Sequence, residues 1–148
     1  MLNGLKGHWF MKSLALVLLC ALVLPRIHGA NNTLGAVSKI YIGSMGQSDE
    51  AERFRILLDT ELTKAGFTTV DAPEKADGIL TGALAVRVYA DESIARVTVV
   101  LKTPDGRHLW DKDFQPHAHL GRIDTVKLRA QDVAKALRKE IGKAVKGK

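Results

Sequence analysis

The fold is decided by Gly78-Ile79-Leu80-Thr81-Gly82-Ala83-Leu84-Ala85-Val86-Arg87-Val88-Tyr89 and, three residues on, Ser93-Ile94-Ala95-Arg96-Val97-Thr98-Val99-Val100-Leu101-Lys102. In the first run Leu80, Gly82, Leu84, Val86 and Val88 recur at every second position. In the second, Ala95, Val97, Val99 and Leu101 alternate with Arg96, Thr98 and Lys102. Period two is the signature of a strand with one covered face. Ala90-Asp91-Glu92 joins the two as a hairpin, and Thr103-Pro104-Asp105-Gly106 signals a second one: Pro presets one turn dihedral and Gly supplies a positive φ. Arg107 to Phe114 is the returning strand, with Trp110 and Phe114 on one face with His108 and Lys112, and Leu109, Asp111 and Asp113 on the other.

Outward from this centre, Val37 to Ile42 reads as a short buried strand and Gly43 to Gln47 as a polar turn. Ser48 is a natural N-cap, and Asp49, Glu50 and Glu52 place acids where the helix dipole favours them. A helix is expected from Asp49 to Ala65, with Ala51, Phe54, Leu58 and Leu62 on its apolar side and Gly66 as a left-handed cap. Phe67 to Val70 is a further strand, and Asp71 to Asp77 is a polar link with one helical turn. The last element is a helix from Thr125 to Val145, capped by Asp124 or Thr125, with Val126, Ala130, Val133, Leu137 and Ile141 as its apolar stripe. The order β-α-β-β-β-β-α predicts an α+β domain: a mostly antiparallel sheet of about five strands with two helices on one face. The other face is then open, with Arg87, Tyr89, Arg96, Thr98 and Lys102 as expected occupants; Trp110 reads better as core, with a place on the same interaction surface as its alternative.

The N-terminal segment has another character. Lys12, the apolar run Leu14 to Leu24, Pro25 and Gly29-Ala30 read as a secretory signal over residues 1–30, with Met11 an alternative start. The apolar run is shorter than the ~20 residues that cross a bilayer, and Cys20 follows Leu19 rather than the small residue that lipid attachment normally requires. Residues 31–36 read as a short tether and 37–146 as one domain. Cleavage removes Lys6, Lys12, Arg26 and no acid, lowering the formal charge from +6 to +3. It also removes Cys20, the one cysteine, and with it disulfides, thiolate metal sites and thiol nucleophiles.

Ala76-Asp77-Gly78-Ile79-Leu80-Thr81-Gly82, then Pro104-Asp105-Gly106, then Leu109-Trp110, with Ala130 to Leu137 (Ala-Gln-Asp-Val-Ala-Lys-Ala-Leu) completing the pattern, resembles a recurring envelope-protein arrangement. It is similar to the small exported domains related to the curli-secretion lipoprotein CsgG, the penicillin-binding-protein activator LpoB and the N-terminal domain of TolB, over residues 37 to 145. The resemblance implies an envelope protein that works by binding or assembly without a cofactor. The chain lacks the membrane-spanning insertions of the pore-forming member.

Chemistry-bearing residues are few. His117 and His119, two apart and near Asp111 and Asp113, are the weak metal candidates, and a periplasmic ligand- or metal-binding protein using them is the alternative reading. A zinc-dependent rise in melting temperature that disappears in a His117→Ala/His119→Ala double variant is the result that reading predicts. Asp111 and Asp113 form a possible carboxylate pair, although with Lys112 between them they read better as the charged face of an edge strand. No nucleophile motif or phosphate-cradling glycine loop is present, so no catalytic residue, enzyme activity or cofactor is expected. Lys127, Arg129, Lys135, Arg138, Lys139, Lys143, Lys146 and Lys148 give the last helix a basic face, expected to be solvated and to allow weak peripheral contact with anionic membrane. The expected partner is a protein or other component of the cell envelope, with the periplasm as location and no nucleic acid.

Overall fold

A computed structural model describes residues 33–89, 93–115 and 124–147. The strands are β1 (Lys39–Ile42), β2 (Thr68–Val70), β3 (Gly78–Val88), β4 (Ser93–Lys102) and β5 (His108–Phe114); the helices are α1 (Asp49–Lys64) and α2 (Thr125–Lys146). The sheet order is β2-β1-β3-β4-β5. It is the expected α+β fold, and its sheet is mixed and not purely antiparallel: β3, β4 and β5 pair antiparallel over their length, while the short β1 is parallel to both β2 and β3. The parallel half rests on two crossovers: α1 carries the chain from the end of β1 back to the end at which β1 began, and residues 71–77 carry it from β2 past β1 to the start of β3, whereas a tight turn re-enters the sheet at the end the chain left.

The expected helix signals act as predicted. Ser48 Oγ accepts from the Ala51 N–H at 3.2 Å. At the other end Gly66 has φ +90°, the Gly66 N–H donates to Thr63 O and the Phe67 N–H to Leu62 O, which is the paired-bond stop of a Schellman motif. Asp124 caps α2, accepting from the Lys127 N–H at 3.1 Å. In the β4–β5 hairpin the Gly106 N–H donates to Thr103 O, Gly106 has φ +88°, and the buried Thr103 hydroxyl bonds Asp105 and the Arg107 backbone.

Both helices pack on one sheet face and against each other, α1 over β2 and β3 and α2 over β4 and β5. Ile40, Ile42, Leu80, Val97, Val99 and Leu101 from the sheet meet Phe54, Leu58, Leu62, Val133 and Leu137 from the helices in one core. Two expectations are corrected. Gly43 to Gln47 is no simple polar turn: the Gly43 N–H donates to Leu80 O, the Gly82 N–H to Ser44 O and the Leu84 N–H to Met45 O, so the chain continues along β3, and Met45 is 1% exposed. Residues 34–36 of the expected tether form a 3-10 turn that packs against α2, with Leu34 against the core. The signal segment, the Ala90-Asp91-Glu92 turn and the His117/His119 loop lie outside the described residues.

Candidate functional site

The face of the sheet turned away from the helices is the candidate interaction surface, and strand register fixes its occupants. Thr81 pairs with Val100, Ala83 with Thr98, Ala85 with Arg96 and Arg87 with Ile94. Each shares its side of the sheet, because residues directly opposite in an antiparallel pair point the same way. Across the next seam Thr98 meets Asp113 and Val100 meets Asp111. The result is a flat centre of small side chains, with charged residues at its margins.

Arg87, Tyr89 and Arg96 are brought together at one end, where with Ala85, Ile94 and Gln115 they line a shallow recess of about 350 Å³. Tyr89 is 52% exposed. Arg96 is held across the β4–β5 seam by a two-pronged contact to Asp113, Nη2 to Oδ2 at 2.5 Å and Nε to Oδ1 at 3.2 Å, and Thr98 Oγ1 donates to the same carboxylate at 3.2 Å. The Arg96 hydrogen bond is the main reason the Asp113 carboxyl stays below its usual range, with Thr98 and Gln115 reinforcing it against slight desolvation. Asp113 is thus a fixed acceptor that orients a guanidinium, an arrangement that suits positioning and not proton transfer. Asp111, its partner in the possible carboxylate pair, instead lies with Oδ1 2.9 Å from His108 Nε2.

Lys102 lies at the opposite end of β4, paired with Ile79. Trp110 is not on this surface. It pairs with Leu101, whose side chain is fully buried, and it packs half-buried against the core on the helix side. His108 leaves the face of Trp110 because a register irregularity at Leu101/Lys102 sets it opposite Lys102. Arg129 is the residue that sequence reasoning missed. Expected on a solvated helix face, it is 3% exposed, with Nε donating to Ala95 O at 3.0 Å and Nη1 to Asp132 at 2.7 Å. Its position three residues after Val126, beside Ala130, places it at the border of the apolar stripe, the one signal available.

Among the described residues no group of three or more His, Cys, Asp or Glu is placed to hold a metal ion, and no helix is long and apolar enough to cross a membrane.

No protein-family model matches the chain, and no curated protein matches it. Solved structures do share its fold. A dodecamer of a point variant of PelC from Paraburkholderia phytofirmans is 20% identical over 68% of this chain and 84% of that one, with a TM-score of 0.55. A second PelC dodecamer structure from the same organism is 17% identical over 70% and 85%, with a TM-score of 0.50. Lipoprotein GNA1162 from Neisseria meningitidis is 13% identical over 69% and 95%, at 0.45. At these identities the likeness to PelC concerns the fold.

Proposed function

We propose that this chain is an exported, non-enzymatic protein of the cell envelope, placed in the periplasm, which binds or helps assemble another envelope component through its open sheet face. The observation that carries the reading is the asymmetry of the sheet: helices cover one side, and the other presents Thr81, Ala83, Thr98 and Val100 as a flat patch with Arg87, Arg96 and Tyr89 at its edge. Flat, weakly hydrated centres with an orienting polar rim suit protein partners. The secretory signal over residues 1–30, the patterned resemblance to CsgG, LpoB and TolB domains and the fold shared with PelC support the same reading. Nucleic acid has no place in it, and no cofactor is needed.

The test is crosslinked affinity purification of the C-terminally tagged protein from its native envelope, with mass spectrometry of the bait's N-terminus and of its companions. The expected result is a stoichiometric envelope partner and a bait beginning near Ala30 or Asn31. Ala83→Arg, which puts a long cation at the centre of the exposed face, is expected to cut capture at least tenfold while leaving the melting temperature within about 2 °C, as for other substitutions of exposed residues. A clean wild-type bait, or undiminished capture by Ala83→Arg, overturns the reading. PelC is described as a dodecamer, so light scattering of the purified bait shows whether the captured component is a further copy of this chain.

A further inference from the structure

On the helix side of the sheet edge, β5 and the flank of α2 form an open cleft of about 460 Å³. Its walls carry Lys112 from β5 and Arg129, Lys135 and Lys139 from α2, with Phe114 and Ala136 as the apolar part. Asp113 and Asp132 also line the cleft, and they and the neighbouring Glu140 are already engaged. Asp132 accepts from Arg129, Asp113 accepts from Arg96, and Glu140 accepts from Lys143 at 2.8 Å, although its field also reaches Lys112 and Lys139. Lys112, Lys135 and Lys139 have no ion-pair partner among the described residues, and Lys112 Nζ lies 5.3 Å from the Phe114 ring centre.

Burying a guanidinium is costly, and a helix whose task is only to cover a sheet has no need of one at this position. Arg129 is fixed from two sides before any ligand arrives, so little ordering remains to oppose binding. Lys112, Lys135 and Lys139 line the same cleft. A lone carboxylate needs one cation, whereas three unpaired ammonium groups lining one cleft beside a fixed guanidinium match a group with several charged oxygens. We propose that the β5–α2 cleft binds a phosphate-bearing ligand, with Arg129 as the fixed anchor and Lys112, Lys135 and Lys139 closing on the remaining oxygens. The cleft meets the open face at Gln115, which lines both, but its cations are other residues, and the proposal does not depend on the function proposed for that face.

Titration of the signal-free protein with inorganic phosphate, against chloride at equal ionic strength, is expected to give saturable amide shifts centred on Phe114, Arg129 and Ala136. Lys112→Gln/Lys139→Gln changes only exposed side chains and is expected to weaken that binding at least tenfold without lowering the melting temperature. Sedimentation with phosphatidylglycerol vesicles, compared with phosphatidylcholine, separates the sources of the phosphate. Pelleting that free phosphate reverses identifies a lipid headgroup, and saturable phosphate binding without pelleting identifies a soluble phosphate-bearing compound. No saturable shift beyond that of chloride, or binding unchanged in the double variant, overturns the proposal.

Discussion

Gly82→Val is expected to destabilise the domain by about 3 kcal/mol, the upper part of the range for overpacking a well-filled core, and to lower its melting temperature by about 10 °C or more. The reason lies in backbone proximity. A Cβ built at Gly82 falls 2.3 Å from the Thr98 carbonyl oxygen and 3.2 Å from both Met45 Sδ and Val99 Cα. The first is main chain of the neighbouring strand, held by the β3–β4 ladder, so it cannot move aside without breaking the register that also builds the open face. Met45 occupies the space a side chain at 82 would use, and the segment carrying it is tied to β3 by the Gly82 and Leu84 N–H groups. Gly142→Ala is the contrasting substitution. A Cβ there meets nothing within 4 Å, inside α2, so alanine is expected to stabilise by up to about 1 kcal/mol through helix propensity alone. Thermal unfolding of both variants by circular dichroism decides the matter: equal effects would mean that Gly82 is there for chain freedom and not for close packing.

That contrast shows which features are legible in a sequence. Period-two alternation over residues 93–102 predicts β4 with the bounds observed, because an antiparallel strand with one wet face must alternate. Ser48, Gly66, Pro104 and Gly106 are equally readable, since capping and turn geometry depend on a few neighbouring residues. Parallel pairing of β1 is harder to see. Four residues with Ile40 and Ile42 inward specify a strand but not its partners, and the crossover through α1 emerges only when the whole chain is laid out. Met45 and Arg129 are hidden for a related reason. A Met among Gly, Ser and Gln, or an Arg among helical lysines, takes its burial from elements distant in sequence, Gly82 for the one and Ala95 for the other. The open face was largely readable, as Arg87, Arg96 and Thr98 follow from alternation once β3 and β4 are paired. The displacement of His108 was not, because the register irregularity at Leu101/Lys102 breaks the alternation that sequence reading assumes.

Asp77→Ala is expected to cost about 2 kcal/mol, from the loss of hydrogen bonds to a charged acceptor. One carboxylate oxygen, Oδ2, receives the Ser38 N–H at 3.0 Å, the Ser38 hydroxyl at 2.9 Å and the Lys39 N–H at 2.8 Å. Together they fasten the entrance of β1 to the residue that precedes β3, while the Asp77 N–H donates to Lys39 O in return. The aspartate of the Ala76-Asp77-Gly78 pattern is therefore a clasp between two parallel strands: Ala76 is buried beside it, and a Cβ at Gly78 would come within 2.9 Å of Leu101 Cδ1. Partial burial pushes the Asp77 carboxyl up, but the Lys39 and Ser38 hydrogen bonds outweigh it and hold the group below its ordinary value. A carboxyl with a lowered folded-state pKa binds fewer protons folded than unfolded, so its contribution is complete above the unfolded-state value and is lost as pH falls through the folded one. Asp77→Asn keeps an oxygen acceptor without the charge and is expected to sit between wild type and Asp77→Ala at neutral pH. Below the ordinary carboxylate range, wild type loses stability that Asp77→Asn has already lost, so their urea-unfolding midpoints should converge on acidification. Parallel midpoint curves across that range would mean that Asp77 acts as a neutral spacer, and that the strand pair is held by its backbone ladder alone.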